Sequence, residues 1–331
     1  MRISFVGGGT DLPDFYKRYP GRVISTSIDK FVYVAINRTS LVDKISARYN
    51  FAETVDHPSE LKHTRIKAAL LDMDITKGLE IASFASLSQG TGMGSSSSFS
   101  VALIKALYAY QGKRIGKREA AETAARLEIE LVGEPIGKQD QYAAAFGGFN
   151  IFQFNANGSV DVKPILLGYK SAFEFQNHLL VFFTGTARQA SSVLTEQKGN
   201  IDKKFETLKE MSDSVPEFEA RLLKGDIKGL GAMLHEGWVK KKTLSSNVSN
   251  SAIDGLYEAG MHHGAWGGKV LGAGGGGCVM FVVPPSKRVA VHAALVEKAS
   301  GLGMKNAKEI PIDFIQSGVE IVHNSDKNIS L

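Results

Sequence analysis

The segment Gln89-Gly90-Thr91-Gly92-Met93-Gly94-Ser95-Ser96-Ser97-Ser98 runs straight into Phe99 to Tyr110, and its reading decides the fold. Glycines let a backbone turn so that several N–H groups face one point. A helix starting at the serines adds unpaired N–H donors and a partial positive charge. Together they form a cradle for a polyphosphate. The serine hydroxyls are placed to cap the helix or to reach a phosphate-bound metal. No Gly-Lys-Ser/Thr closes the loop, so it is not a Walker A motif. A flexible Gly/Ser linker is the plainer alternative. Against it, Ile104, Leu107 and Tyr108 continue at helical spacing.

Around this loop lies an ordinary globular chain of 331 residues, 43% hydrophobic and 22% charged. The formal net charge of +5 suits an anionic small molecule. Lys240-Lys241-Lys242 is the only lysine triplet, and no basic tract interleaved with aromatics appears, which disfavours nucleic acid. One cysteine, Cys278, excludes an intrachain disulfide framework and a cysteine metal cluster. The start, Met1 to Gly7, is too soon broken by glycine for a signal peptide, and no apolar run is long enough to cross a bilayer. The expected setting is the cytoplasm, without a membrane partner.

Strands are expected at Arg2 to Val6, Arg22 to Ile28, Phe31 to Arg38 and Leu79 to Ala85 from β-branched and aromatic content. Helices are expected at Leu12 to Tyr19, Glu60 to Leu71, Ala120 to Val132 and about Gln139 to Phe146. Phe149 to Phe154 and Val160 to Ile165 read as a hairpin joined by Asn155-Ala156-Asn157-Gly158. Beyond Gly168 come a buried-type strand at Leu179 to Phe183, several helices up to Glu258, strands near Val270 and at Val279 to Val283, a helix from Lys287 to about Ala299, and a strand-like end at Ile310 to Ile321. This is an α+β layout, not a regular βαβ alternation. The expected division is an N-terminal domain, 1–167, which carries the phosphate loop, and a C-terminal domain, 168–331.

Two further glycine clusters flank the central one. Gly7-Gly8-Gly9-Thr10-Asp11 leaves the first strand, as a capped turn or as a place where Asp11 holds sugar hydroxyls. Gly272-Ala273-Gly274-Gly275-Gly276-Gly277 contains a G-x-G-x-x-G pattern, but strand sequence follows it where a dinucleotide site needs a helix. A dehydrogenase is thereby excluded, and a glycine hairpin packed against the phosphate loop explains the cluster better.

Phosphoryl transfer needs a positioned nucleophile, a metal on the phosphates and a charge clamp. Asp140 follows a Gly/Pro break at a helix start, where it is either a proton acceptor for a substrate hydroxyl or an N-cap. Lys138 is either a phosphate clamp or a solvated charge. Glu128 and Glu130 lie two residues apart and so on different helix faces; one can turn inward towards a metal. Mg²⁺ needs few protein oxygens, so one Glu and one Ser suffice. His262-His263 reads as a surface pair.

The three clusters in this order, with the Asp140 segment, resemble the GHMP kinases over almost the whole chain. Gly90 to Ser97 carries the central motif, Lys269 to Gly276 the third, and Arg2 to Asp11 the first. The resemblance implies a two-domain fold, with an N-terminal domain like ribosomal protein S5 domain 2, a ferredoxin-like C-terminal domain, and ATP between them. By matched position, Gly90, Thr91, Gly92, Met93, Gly94, Ser95, Ser96, Ser97, Gly274 and Gly275 would bind ATP, with Ser96 and Glu128 on Mg²⁺. Asp140 resembles the catalytic aspartate, Arg2 the arginine supporting it, and Asp11 the sugar-contacting aspartate. Galactokinases have Glu-His where this chain has Gly8-Gly9, and the mevalonate kinase pattern lacks Lys138-Gln139-Asp140-Gln141.

Gly-Gly-Gly-Thr-Asp, Pro-Ile-Gly-Lys-Gln-Asp-Gln-Tyr and Phe-Gly-Gly are most similar to the branch acting on D-glycero-D-manno-heptose 7-phosphate at its anomeric hydroxyl, for nucleotide-activated heptose. Phe183 to Thr186 with Arg188, and Trp238 with Lys241, fit that branch. Gly8, Gly9, Thr10, Asp11, Lys138, Arg188 and Lys241 are the implied substrate contacts, the last three cations being candidates for a distal phosphate; a guanidinium such as that of Arg188 can grip one bidentately. Members usually carry a few residues before the position of Arg2, so either a short first strand or a truncated start is expected. Alternatives are a fucose- or hexose-type sugar 1-kinase, or a non-catalytic sugar and ATP sensor of the same fold. The sequence leaves the oligomeric state open, a homodimer included.

Overall fold

In the computed structural model, residues 1–39, 41–187 and 191–325 are described. The strands are β1 (Arg2–Val6), β2 (Gly21–Ile28), β3 (Val32–Arg38), β4 (Ile45–Arg48), β5 (Ala52–Val55), β6 (Leu79–Ala85), β7 (Phe149–Phe154), β8 (Val160–Pro164), β9 (Leu179–Phe183), β10 (Gly267–Val270), β11 (Cys278–Val282), β12 (Lys308–Glu309) and β13 (Phe314–Ile315). Three sheets result: β1-β2-β7-β8 with β13 added on β2, then β3-β6-β4-β5, then β10-β11-β9-β12. Among the described residues only β4 and β6 pair in parallel, and the other pairs are antiparallel. The expected α+β architecture is what forms.

β1 shows how local sequence builds the site. Side chains alternate across a strand, so Ile3 and Phe5 enter an apolar cluster with Val215, Phe218 and Met280. Arg2 and Ser4, on the opposite face, line a cavity. Phe5 stacks on Phe149 and Phe218 at ring-centroid distances of 5.5 Å each, which anchors the strand from behind.

Behind the phosphate loop, the helix Ser95–Tyr110 packs with Lys117–Arg126 and Gln139–Phe146 over Val101, Ile104, Leu107, Ala120, Ala124 and Tyr142. These residues recur at helical spacing, which is why the helices were legible. Their burial holds the N-termini at Ser95 and Gln139 facing one space.

Several expectations shift. The helix expected to reach Val132 ends at Arg126 and continues as a π turn, Leu127–Leu131. Such a wide turn alters which residues face inward; Glu128 is buried and Glu130 exposed. Leu12 to Tyr19 forms only the short turn Pro13–Tyr16. Within the strand-like end, Ile310 to Ile321, the strand β13 alone forms among the described residues, and β12 lies just before it. β4 and β5 were not anticipated, because four-residue strands carry too short a pattern. No helix among the described residues is long and apolar enough to cross a membrane.

Candidate active site

A cavity of roughly 630 Å³ opens where the three glycine clusters meet. Its floor is the loop Gln89 to Ser97. Gly94 adopts a left-handed conformation ahead of the helix Ser95–Tyr110, and no side chain caps that helix. The first amides of an uncapped helix lack intrahelical acceptors, and Ser95, Ser96 and Ser97 all line the cavity. The late glycine hairpin packs directly on this loop. A Cβ at Gly92 would stand 2.5 Å from the Leu271 carbonyl oxygen, and one at Gly272 would stand 2.7 Å from the Gly92 Cα. The Cys278 N–H donates to the Thr91 carbonyl at 3.1 Å. Two backbones can approach so closely only without side chains between them.

Asp140 begins the helix Gln139–Phe146 and faces the cavity. Arg2 donates to it twice, Nε to Oδ1 at 2.8 Å and Nη2 to Oδ2 at 2.7 Å. The third arm, Nη1, donates to the Gly92 carbonyl at 2.6 Å. One buried guanidinium thus ties the carboxylate to the phosphate loop. Asp140 makes no N-cap hydrogen bond, so of the two readings open in the sequence the capping one fails.

Asp11 lies beside this pair. Its carboxylate accepts from the Gly9 N–H at 3.2 Å, the Gln139 N–H at 3.2 Å and the Gln139 amide at 2.9 Å. Burial and, next, the Asp140 carboxylate push its pKa up, while the Gln139 bonds pull the other way. Two buried lysines line the same space. Lys241 donates to the Gly272 carbonyl, and burial followed by Arg2 pulls its pKa down to about 8. Lys269 donates to the Ser4 and Phe5 carbonyls at 2.9 and 2.7 Å, and burial holds its pKa well below the ordinary lysine value.

Other expected contacts are not at the cavity. Lys138 turns away: its ammonium pairs with Glu122 at 2.9 Å and donates to the Gly158 carbonyl at 3.2 Å. Thr10 spends its hydroxyl on the Gly7 and Arg22 carbonyls at 2.8 and 3.0 Å and so holds the turn. Met93 is fully buried in the core. The Gly275 N–H donates to the Val248 carbonyl at 2.7 Å, which removes it as a phosphate donor. Arg188 lies outside the described residues. Gly8, Gly9, Gly90, Thr91, Gly92, Gly94 and Gly274 do line the cavity.

Glu128 is 0% exposed and stands behind the cavity wall. Its carboxylate accepts from Arg65 Nε at 2.9 Å, from the Ser100 hydroxyl at 2.9 Å and from the Gln141 amide. Arg65 in turn pairs with Glu134 at 2.6 Å, and both of these line the cavity. A carboxylate so occupied is a poor fit to a metal ion, whereas Ser96 lines the cavity from the first turn of its helix. Arg65, Gln139 and Lys269 were missed from sequence. Each is a common surface residue type, and only its partners distinguish it.

An arginine-held carboxylate and two buried lysines facing a glycine loop suit phosphoryl transfer chemistry. Residues 61–148 match the GHMP kinases N terminal domain and residues 218–301 the GHMP kinases C terminal domain. The chain belongs to the GHMP kinases and is a phosphotransferase with an alcohol group as acceptor.

Over 308 residues it is 28% identical to the D-glycero-alpha-D-manno-heptose 7-phosphate kinase of Campylobacter jejuni subsp. jejuni serotype O:2, covering 89% of this chain and 91% of that protein. The crystal structure of a D-glycero-D-manno-heptose 1-phosphate kinase from Bacteriodes thetaiotaomicron superposes with a TM-score of 0.78 at 26% identity, covering 96% of this chain and 95% of that one. A Lactococcus lactis galactokinase complexed with galactose, at 18% identity and a TM-score of 0.74 over 96% of this chain and 92% of that one, shares the fold.

Proposed function

We propose that this enzyme transfers the γ-phosphoryl group of ATP to the anomeric hydroxyl of D-glycero-D-manno-heptose 7-phosphate, giving the 1,7-bisphosphate. The observation that carries the reading is the doubly bonded Arg2–Asp140 pair set between the glycine loop and the Asp11 end of the cavity. The similarity to a heptose 7-phosphate kinase over nearly the full chain supports the choice of sugar.

ATP would place its phosphates on the Gly90 to Ser97 loop and the amides opening the following helix, with Gly272 to Gly274 closing over them. Backbone donors aimed at one point stabilise charge without reorganisation. Asp140 would accept a hydrogen bond from the anomeric O–H and take its proton as that oxygen bonds to the γ-phosphorus. The bridging β–γ oxygen bond breaks and ADP leaves. Arg2 holds the carboxylate in line and offsets charge on the transferring group. Asp11, through Gln139, would position the sugar, and Lys241 would meet anionic oxygens.

Mg²⁺ would find Ser96 and phosphate oxygens here; Glu128, saturated by three donors, instead holds Arg65 in place. The two-domain division near Gly168 and a cytoplasmic location belong to the same proposal. Coupled ADP-release assays across phosphorylated and free sugars, with phosphorus NMR of the product, test it. Turnover of free hexoses in preference to heptose 7-phosphate would replace the assigned substrate with a hexose- or fucose-type acceptor.

A further inference from the structure

Gln197 is a buried polar side chain that the Arg2–Asp140 chemistry does not use. It sits on the helix Ser191–Gly199, is 2% exposed and lines the cavity. Among the described residues its amide nitrogen has no hydrogen-bond partner. That nitrogen presses on the Gly9 end of the cavity: a Cβ at Gly9 would lie 2.2 Å from it. Its neighbour Glu196 accepts from the Ser245 hydroxyl at 2.7 Å, the Ser246 N–H at 2.9 Å and the Asn247 amide at 2.6 Å. Those bonds fasten the helix to the loop after Thr243, so the Gln197 amide is held in place.

A buried donor left unpaired is costly and calls for an explanation, a ligand atom being one. We propose that Gln197 is a specificity-determining residue of the acceptor site, its amide nitrogen donating to one hydroxyl oxygen of the bound sugar. This rests on the sugar kinase reading above. A neutral hydroxyl suits the position better than a phosphate, because the Gly9 N–H beside it is already given to the Asp11 carboxylate, and a second anion there would be repelled.

The test is steady-state kinetics of wild type, Gln197→Met and Gln197→Glu on heptose 7-phosphate, its monodeoxy derivatives and unphosphorylated heptose. Met keeps the volume and removes the donor; Glu keeps the shape and replaces the donor with an acceptor. Both variants are expected to raise the acceptor KM about tenfold, the scale of one lost hydrogen bond with its partner left buried. The ATP KM should not move and kcat should stay within about twofold. On one monodeoxy sugar the penalty should vanish, since the oxygen concerned is already gone.

An unchanged acceptor KM, a parallel rise in the ATP KM, or a penalty that vanishes only without the distal phosphate overturns the assignment. A wild-type enzyme that turns over none of these sugars overturns the functional reading itself and this inference with it, so the two failures are distinguishable.

Discussion

Arg2 and Asp140, 138 residues apart, share two hydrogen bonds of 2.8 and 2.7 Å, and the same guanidinium reaches the Gly92 carbonyl at 2.6 Å. The acid and the phosphate loop are therefore one mechanical unit. Asp140→Asn is expected to lower kcat by about 10²–10⁴-fold, the usual weight of a positioned proton acceptor. ATP affinity, measured by titration calorimetry, should stay nearly unchanged. Full activity in that variant would remove Asp140 from the mechanism.

Gly92 has φ +80° and faces the Leu271 carbonyl oxygen across 2.5 Å of hypothetical Cβ space. Gly92→Ala combines a left-handed backbone with a clash, a strain of about 1–3 kcal/mol before the loops part. Urea unfolding should show that loss, and the ATP KM should rise more than the acceptor KM. A variant with wild-type stability would refute the tight apposition of the two loops.

Lys241 supplies a pH dependence. Its native pKa of about 8 lies below the ordinary lysine value of 10.5, with burial the main cause, Arg2 adding to it, and Asp11 and Asp140 opposing. Between those two values the unfolded chain binds more protons than the native one, so stability contributed by this group rises with pH across that window. Below about 8 the penalty is present in full and constant. Denaturation midpoints of Lys241→Met should lack the rise. Acceptor binding should move oppositely, weakening as pH climbs through about 8 while the ammonium loses its proton. A wild-type acceptor KM flat from pH 7 to pH 9 would separate Lys241 from the substrate.

Arg65 compensates the fully buried Glu128 at 2.9 Å. Removing one partner of a buried pair strands a charge, so Arg65→Met should cost about 3–5 kcal/mol of stability. Chemical denaturation checks this. Little change would mean that Ser100 and Gln141 alone can carry the carboxylate.

Lys138 gives a contrasting outcome. Its partner Glu122 has a side chain 39% exposed, and such pairs contribute about 0–1 kcal/mol. Lys138→Ala should leave both KM values within about twofold of wild type. A large rise in the acceptor KM would restore Lys138 to the substrate site.

Local sequence encodes most of the elements and the glycine loop. Leu79–Ala85, Phe149–Phe154 and Leu179–Phe183 form where β-branched and aromatic residues cluster. The helix after Ser95 follows from apolar spacing, and the three glycine clusters announced backbone at close quarters. These are local signals, carried by neighbouring residues and by what each backbone can adopt. The β4–β5 hairpin escaped notice because it stands too briefly to show a period, and the π turn because the Ala-rich pattern runs through it unbroken.

Tertiary structure alone decided which charges count. Lys138 and Lys241 are the same residue type, yet one turns to Glu122 and the other is buried beside Arg2 and Asp11. Glu128 looked open to a metal and is instead enclosed by Arg65, Ser100 and Gln141. Gln197 had no motif at all. Direction and burial of a side chain depend on which distant strand or helix packs over it, and that information is spread across contacts such as Arg2 to Asp140. A window along the chain cannot contain it, because the energy that orients each group comes from partners brought together only by the finished fold.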